Sequence, residues 1–144
     1  MVTGSDNETK KVAGDLAKKI LKSGPRAGAV VLALVGDLGA GKTTFVQGLA
    51  HALDVKEKIT SPTFLILKRY TLSDTRFSNF YHIDAYRLDS SKELSDLGFV
   101  DLLKNPQNII VIEWADKVAD ILPKNAIFIK FSHGEIESER EIDL

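Results

Sequence analysis

Apolar residues are distributed along this chain in two ways, as short unbroken runs and as longer stretches with one apolar position every three or four residues. Residues 6–22 follow the second pattern. Val12, Leu16, Ile20 and Leu21 share one face with Lys10, Lys11, Lys18 and Lys19 opposite, which predicts an amphipathic helix ended by Gly24-Pro25. Residues 29–35, Ala-Val-Val-Leu-Ala-Leu-Val, are continuously apolar. Such a run reads as a strand buried on both faces, the kind found inside parallel sheets. Residues 42–53 return to the helical period through Phe45, Val46, Leu49, Ala50 and Leu53. Strand, glycine-rich turn and helix are therefore contiguous.

Residues 63–72 and 77–83 are rich in β-branched and aromatic side chains, and Ser73-Asp74 between them is turn chemistry, so they predict an antiparallel hairpin. Residues 90–97 read as a short helix capped at Ser90 or Ser91 and stopped at Gly98, with a further turn over 99–103. Residues 109–112 form a second wholly apolar run that ends in Glu113, a second central strand. Residues 127–131 and 139–144 predict closing strands around a turn at Gly134. With the glycine-rich turn Gly36-Asp-Leu-Gly-Ala-Gly41-Lys42-Thr43 between the first apolar strand and its helix, the sum is an α/β fold of phosphate-loop type, with a mostly parallel central sheet, an antiparallel hairpin and flanking helices, in one domain over residues 1–144.

Composition narrows the classes. Nineteen Lys+Arg against twenty Asp+Glu give a net charge of −1, and a direct grip on RNA or DNA more often comes with a basic excess. The absence of cysteine excludes disulfides, a thiol nucleophile and Cys-ligated metal centres, and fits a cytoplasmic protein. The charged, glycine-interrupted first thirty residues predict neither a signal peptide nor a membrane span.

The chemistry sits in the turn after the first apolar strand. Gly36-Asp-Leu-Gly-Ala-Gly41-Lys42-Thr43 matches G-x-x-x-x-G-K-[ST], in which glycines let backbone N–H groups turn toward an anion at a helix N-terminus. Asp37, Leu38, Gly39, Ala40, Gly41, Lys42, Thr43 and Thr44 are the expected phosphate-binding set. Lys42 supplies a mobile charge for the β- and γ-phosphates, and the Thr43 hydroxyl a hard oxygen for Mg²⁺. A site of this kind needs an acid at a strand end, and Glu113 and Asp84 both qualify. Glu113 is favoured on the metal side with Asp84 as its partner toward metal and water, although the pattern leaves open which role belongs to which. The chain has no N-K-x-D segment and no D-x-x-G after a strand, since Asp84 is followed by Ala85-Tyr86-Arg87, which argues against a GTPase. Only Arg140 follows the second central strand, too few arginines for the lid of a small-molecule kinase. His51, His82 and His133 lack ligand spacing, so neither metal binding nor general-base work is expected of them.

Beyond the loop, Ser61-Pro62-Thr63-Phe64, Tyr81-His82-Ile83-Asp84-Ala85-Tyr86-Arg87-Leu88, Glu93-Leu94 with Leu97-Gly98, Ile112-Glu113-Trp114 and Leu122-Pro123 follow one another in order. With the acidic Asp37 inside the loop, this series resembles the bacterial TsaE (YjeE) family of threonylcarbamoyladenosine-biosynthesis ATPases over nearly the whole length. The resemblance implies an ATPase that binds ATP and Mg²⁺, docks on the partner proteins TsaB and TsaD, and sustains N6-threonylcarbamoyladenosine formation at position 37 of tRNA. The tRNA would be held indirectly, by the partners.

The same resemblance puts Thr43 and Glu113 on the metal, Lys42 on the phosphates and Asp84 near them as the catalytic set. It makes 61–64 a switch-like loop and offers Glu8, Thr9 and Ser132 as adenine-side contacts. Trp114 is read first as an aromatic packed on the sheet end and second as a docking residue. Arg87 is the only arginine expected near a site element, so a completing arginine would come from a partner. The chain stops at Leu144, where some relatives continue, and the shorter end is expected to spare the site. Two other functions compete, a small-molecule kinase and a nucleotide-gated interaction module.

Overall fold

The computed structural model describes the whole chain except Pro25, Leu38 and residues 61–64. The proposed switch, Ser61-Pro62-Thr63-Phe64, and the loop residue Leu38 thus lie outside the described residues.

Seven strands form one sheet in the order β1-β7-β6-β2-β5-β4-β3. Their ranges are β1 Val2–Thr3, β2 Val30–Gly36, β3 Leu67–Thr71, β4 Asn79–Asp84, β5 Asn108–Glu113, β6 Ile127–His133 and β7 Arg140–Asp143. The four central strands β6, β2, β5 and β4 run parallel. Antiparallel pairs close both margins, β3 on β4 and β7 on β6, with β1 added to β7. This is the expected α/β arrangement, with its parallel core, hairpin and flanking helices.

Two apolar layers explain why β2 and β5 are apolar throughout. Val30, Leu32 and Leu34 of β2 and Ile109 and Val111 of β5 pack with Ala13, Ala17 and Ile20 of α1 (Asp6–Lys22) and Phe45, Val46 and Leu49 of α2 (Lys42–Ala52). Val31, Ala33, Ile110 and Ile112 point the other way. They meet Leu94 of α3 (Ser91–Asp96), Phe99 of α4 (Phe99–Leu103) and Val118 of a 3₁₀ segment, Ala115–Ile121. Alternate residues of a strand face opposite sides, so a sheet covered by helices on both sides demands an apolar residue at every position.

Helix α1 begins where Ser5 Oγ accepts from the Glu8 N–H at 3.2 Å while Glu8 Oε2 accepts from the Gly4 N–H at 2.5 Å. This reciprocal pairing is close to a capping box and satisfies donors that the first turn leaves open. The β3–β4 turn rests on Asp74, whose Oδ1 accepts from the backbone N–H groups of Arg76 and Phe77 at 2.8 and 3.3 Å. The strands of that hairpin start later than the pattern suggested, at Leu67 and Asn79. The two-residue β1 and the 3₁₀ segment were not expected. Among the described residues, no helix is long and apolar enough to cross a membrane.

Candidate functional site at the phosphate loop

Strand β2 delivers Gly36 to the carboxyl edge of the sheet with φ +135°, and a Cβ there would lie 2.0 Å from the Phe131 carbonyl oxygen of β6. Only glycine fits this close passage between strands. The loop then turns into α2 through Gly41, whose φ of 98° is left-handed, so the N-terminal N–H groups of α2 open onto a cleft of about 430 Å³. That cleft is lined by Gly39, Gly41, Lys42, Thr43, Thr44, Asp84 and Glu113, and also by Asp6, Tyr86, Trp114 and Arg140. A roomier groove of about 910 Å³ lies between α1 and the segment after α2. It holds none of the loop's chemistry.

Parallel pairing brings the two acids together. Leu34 of β2 is opposite Glu113 of β5, and Glu113 is opposite Asp84 of β4, so both carboxylates end neighbouring strands beside the loop, as the apolar-run-plus-acid pattern predicted. Glu113 is buried; its Oε1 accepts from the Thr43 hydroxyl at 2.9 Å and its Oε2 lies 2.6 Å from His82 Nε2. Lys42, also buried, donates from Nζ to the carbonyl oxygens of Gly36 and Asp37 at 2.7 and 2.8 Å. Its ammonium sits 4.1 Å from the centre of the Trp114 ring, within range of a cation–π attraction.

Burial sets the proton affinities. It pulls the Lys42 pKa below the usual lysine value, against the opposing fields of Glu113, Asp37, Asp116 and Asp84. It pushes the Asp84 carboxyl above its usual value, with the Glu113 charge acting the same way and the hydrogen bond from the Tyr86 N–H opposing it. An ammonium and a carboxylate that both pay a desolvation cost in one cleft are the kind of groups a charged ligand relieves. The described residues contain no cluster of three or more His, Cys, Asp or Glu able to cage a metal. One hydroxyl beside one or two carboxylates instead suits Mg²⁺, which keeps waters and takes its remaining oxygens from a bound phosphate.

Thr9 and Ser132 are not brought to this cleft. Thr9 is buried with its hydroxyl 2.8 Å from that of Thr3, and Glu8 is taken up by the helix cap. Strand alternation turns Ser132 to a separate groove shared with Met1, Val2, Lys130 and Glu141, whereas its neighbour His133 approaches Gly39. Nor is Arg87 the only arginine at the site. The Arg140 side chain passes within 3.6 Å of where a Gly41 Cβ would be, while Arg87 is exposed and acts on Asp84 only through its field. Asp6 and Arg140 were not expected at the loop, because they reach it from the two ends of the chain and no local spacing signals that. Trp114 does pack on the sheet end, but in a left-handed conformation of φ 59° that also places its ring on Lys42 and 5.1 Å from Tyr86.

A parallel sheet whose central strand runs through G-x-x-x-x-G-K-T into a helix, with acids ending the next two strands on one side, β5 and β4, defines an α/β protein of the phosphate-loop class. Within that class the match is specific: the family model described as "Threonylcarbamoyl adenosine biosynthesis protein TsaE" matches residues 3–142, and the chain belongs to the TsaE family. It is 37% identical over 140 residues to the tRNA threonylcarbamoyladenosine biosynthesis protein TsaE of Bacillus subtilis, covering 97% of this chain and 80% of that protein. The protein of the same description from Treponema pallidum is 39% identical over 116 residues, covering 81% and 78%. Among solved structures, Bacillus subtilis YdiB superimposes with a TM-score of 0.71 at 33% identity over 99% of this chain and 80% of that one.

Proposed function

We propose that this chain is the ATP-hydrolysing member of the machinery that makes threonylcarbamoyladenosine in tRNA, working with TsaB and TsaD, and that the loop cleft is its Mg-ATP site. The observation that carries the reading is the 2.9 Å contact of the Thr43 hydroxyl with Glu113, 70 residues away in sequence. It joins the loop's own metal-side hydroxyl to an acid from the adjacent strand. Family membership and the names of the relatives supply the tRNA context.

In this reading the loop N–H groups and Lys42 hold the phosphates, and Lys42 exchanges its two carbonyl partners for phosphate oxygens. Thr43 and Glu113 would hold Mg²⁺, which when bound would supply charge neutralisation to the phosphates. Asp84, at the neighbouring strand end, orients the water that attacks the γ-phosphorus, giving ADP and phosphate. Burial makes Asp84 hold a proton more readily than an exposed aspartate, which suits a group that receives a hydrogen bond from that water.

The test uses γ-labelled ATP with the chain, TsaB, TsaD and a metabolite extract. Label recovered as free phosphate supports hydrolysis. Label transferred to a metabolite contradicts it and favours a kinase.

A further inference from the structure

The sequence pattern expects neither metal binding nor general-base work of His82, and its placement in the fold gives it a different task. It lies on β4 opposite Val111 of β5, two residues before Asp84, and is fully buried. Phe80, on the same face of the same strand, fills its place in the core with an apolar ring. An imidazole is a costly substitute there unless its nitrogens are paired, and Nδ1 has no hydrogen-bond partner among the described residues. Among the described residues, what the imidazole adds over an apolar ring is the 2.6 Å contact of Nε2 with Glu113 Oε2.

We propose that His82 is a positioning residue for Glu113, pinning one carboxylate oxygen so that the other faces the Thr43 hydroxyl. The inference deepens the reading of the cleft as a Mg-ATP site and rests on it. Glu113 ends a strand, so its backbone is fixed, but its carboxylate can rotate about its terminal torsion. With Glu113 ionised, the short contact requires the hydrogen to be on Nε2, and that N–H fixes the rotation. The chain Nε2–H···Oε2, Oε1···H–Oγ1 then runs unbroken from β4 through β5 to the first turn of α2. A carboxylate held in this way presents its oxygens to a cation without having to be ordered by it. Partners that orient a ligand from behind typically change metal affinity by about 10- to 100-fold when removed.

The experiment titrates Mg²⁺ into parent, His82→Gln, His82→Asn and His82→Leu proteins saturated with ADP, read by calorimetry and by the fluorescence of Trp114, the only tryptophan. The amide nitrogen of Gln reaches where Nε2 lies; that of Asn stops near Nδ1, and Leu has no donor. The Mg²⁺ concentration at half-saturation is expected to rise about 10- to 100-fold in the Asn and Leu proteins and to stay within about threefold of the parent in the Gln protein. ADP affinity without metal should be the same in all four, because Lys42 and the loop are untouched. If the Leu protein does not fold, Gln against Asn decides. Equal midpoints in Gln and Asn, or losses that follow thermal stability in every variant, overturn the inference while leaving the site reading intact. A parent that binds no Mg-ADP overturns both.

Discussion

Replacing Lys42 by Met separates the energy this lysine contributes to the fold from the energy it contributes to a ligand. Met keeps most of the buried stem, so no large cavity opens. The change removes two charge-assisted hydrogen bonds to Gly36 and Asp37, about 1.5–3 kcal/mol each in favourable settings, and a cation–π contact of about 1 kcal/mol. Against this stands the cost of burying the ammonium, which outweighs the surrounding carboxylates, since the Lys42 pKa is lowered. The opposing contributions leave a net effect on the ligand-free chain of about 1 kcal/mol in either direction, or about 4 °C in thermal midpoint for a chain of this size. A nucleotide gains no such offset, because its phosphates meet the charge directly. Losing that contact should weaken Mg-ATP binding by about 3 kcal/mol, roughly two orders of magnitude. Calorimetric titration with Mg-ATP and thermal unfolding of both proteins measure the two effects. An affinity within threefold of the parent, or a midpoint more than 10 °C lower, refutes the argument.

Other expectations follow from the same geometry. Burial raises the Asp84 pKa, so the folded chain binds that proton more tightly than the unfolded chain does. Stability is then lost as pH rises from the ordinary carboxylate pKa through the raised one. Asp84→Asn is therefore expected to unfold at a higher temperature than the parent at pH 7, with the gap closing at pH 3, and to lose ATP hydrolysis; a less stable mutant at pH 7 contradicts the burial argument. Gly36→Ala drives a methyl group to 2.0 Å from the Phe131 carbonyl oxygen and should cost roughly 3 kcal/mol or more, seen as a lower urea midpoint; an unchanged midpoint means β2 and β6 are not this close. Glu113→Gln keeps the size of the side chain but not its charge. It should reduce phosphate release at least a hundredfold while changing metal-free ADP affinity by less than threefold; release at the parent rate makes Glu113 a strand-end acid only.

What could be read from the sequence was what repeats locally. Helix α1, β2 and α2 were evident because apolar spacing reports burial on one or both faces, and the same logic marked Glu113 and Asp84 as acids at strand ends. Their placement on adjacent strands is a matter of sheet order, which the parallel β2–β5–β4 pairing supplies. The contact of His82 with Glu113 depends on that register, so no spacing within β4 could signal it. Arg140 reaches the loop because β7 folds back on β6, with Arg140 opposite His133. Ser132 misses the cleft for the complementary reason, being one residue out of phase on a strand of period two. The 3₁₀ segment after Trp114 carries a non-helical residue at Val118 and has no 3.6-residue period to recognise.

We propose that the cleft at Lys42, Thr43, Asp84 and Glu113 hydrolyses ATP, and does so when the chain is joined to TsaB and TsaD. Steady-state phosphate release from Mg-ATP, measured for the chain alone and with TsaB and TsaD at fixed salt, together with modified adenosine formed per tRNA, tests it most directly. Slow release by the chain alone, faster release in the complex, and repeated rounds of tRNA modification only when the chain is present are expected. Fast release indifferent to partners, or undiminished repeated modification when the chain is omitted, would contradict it.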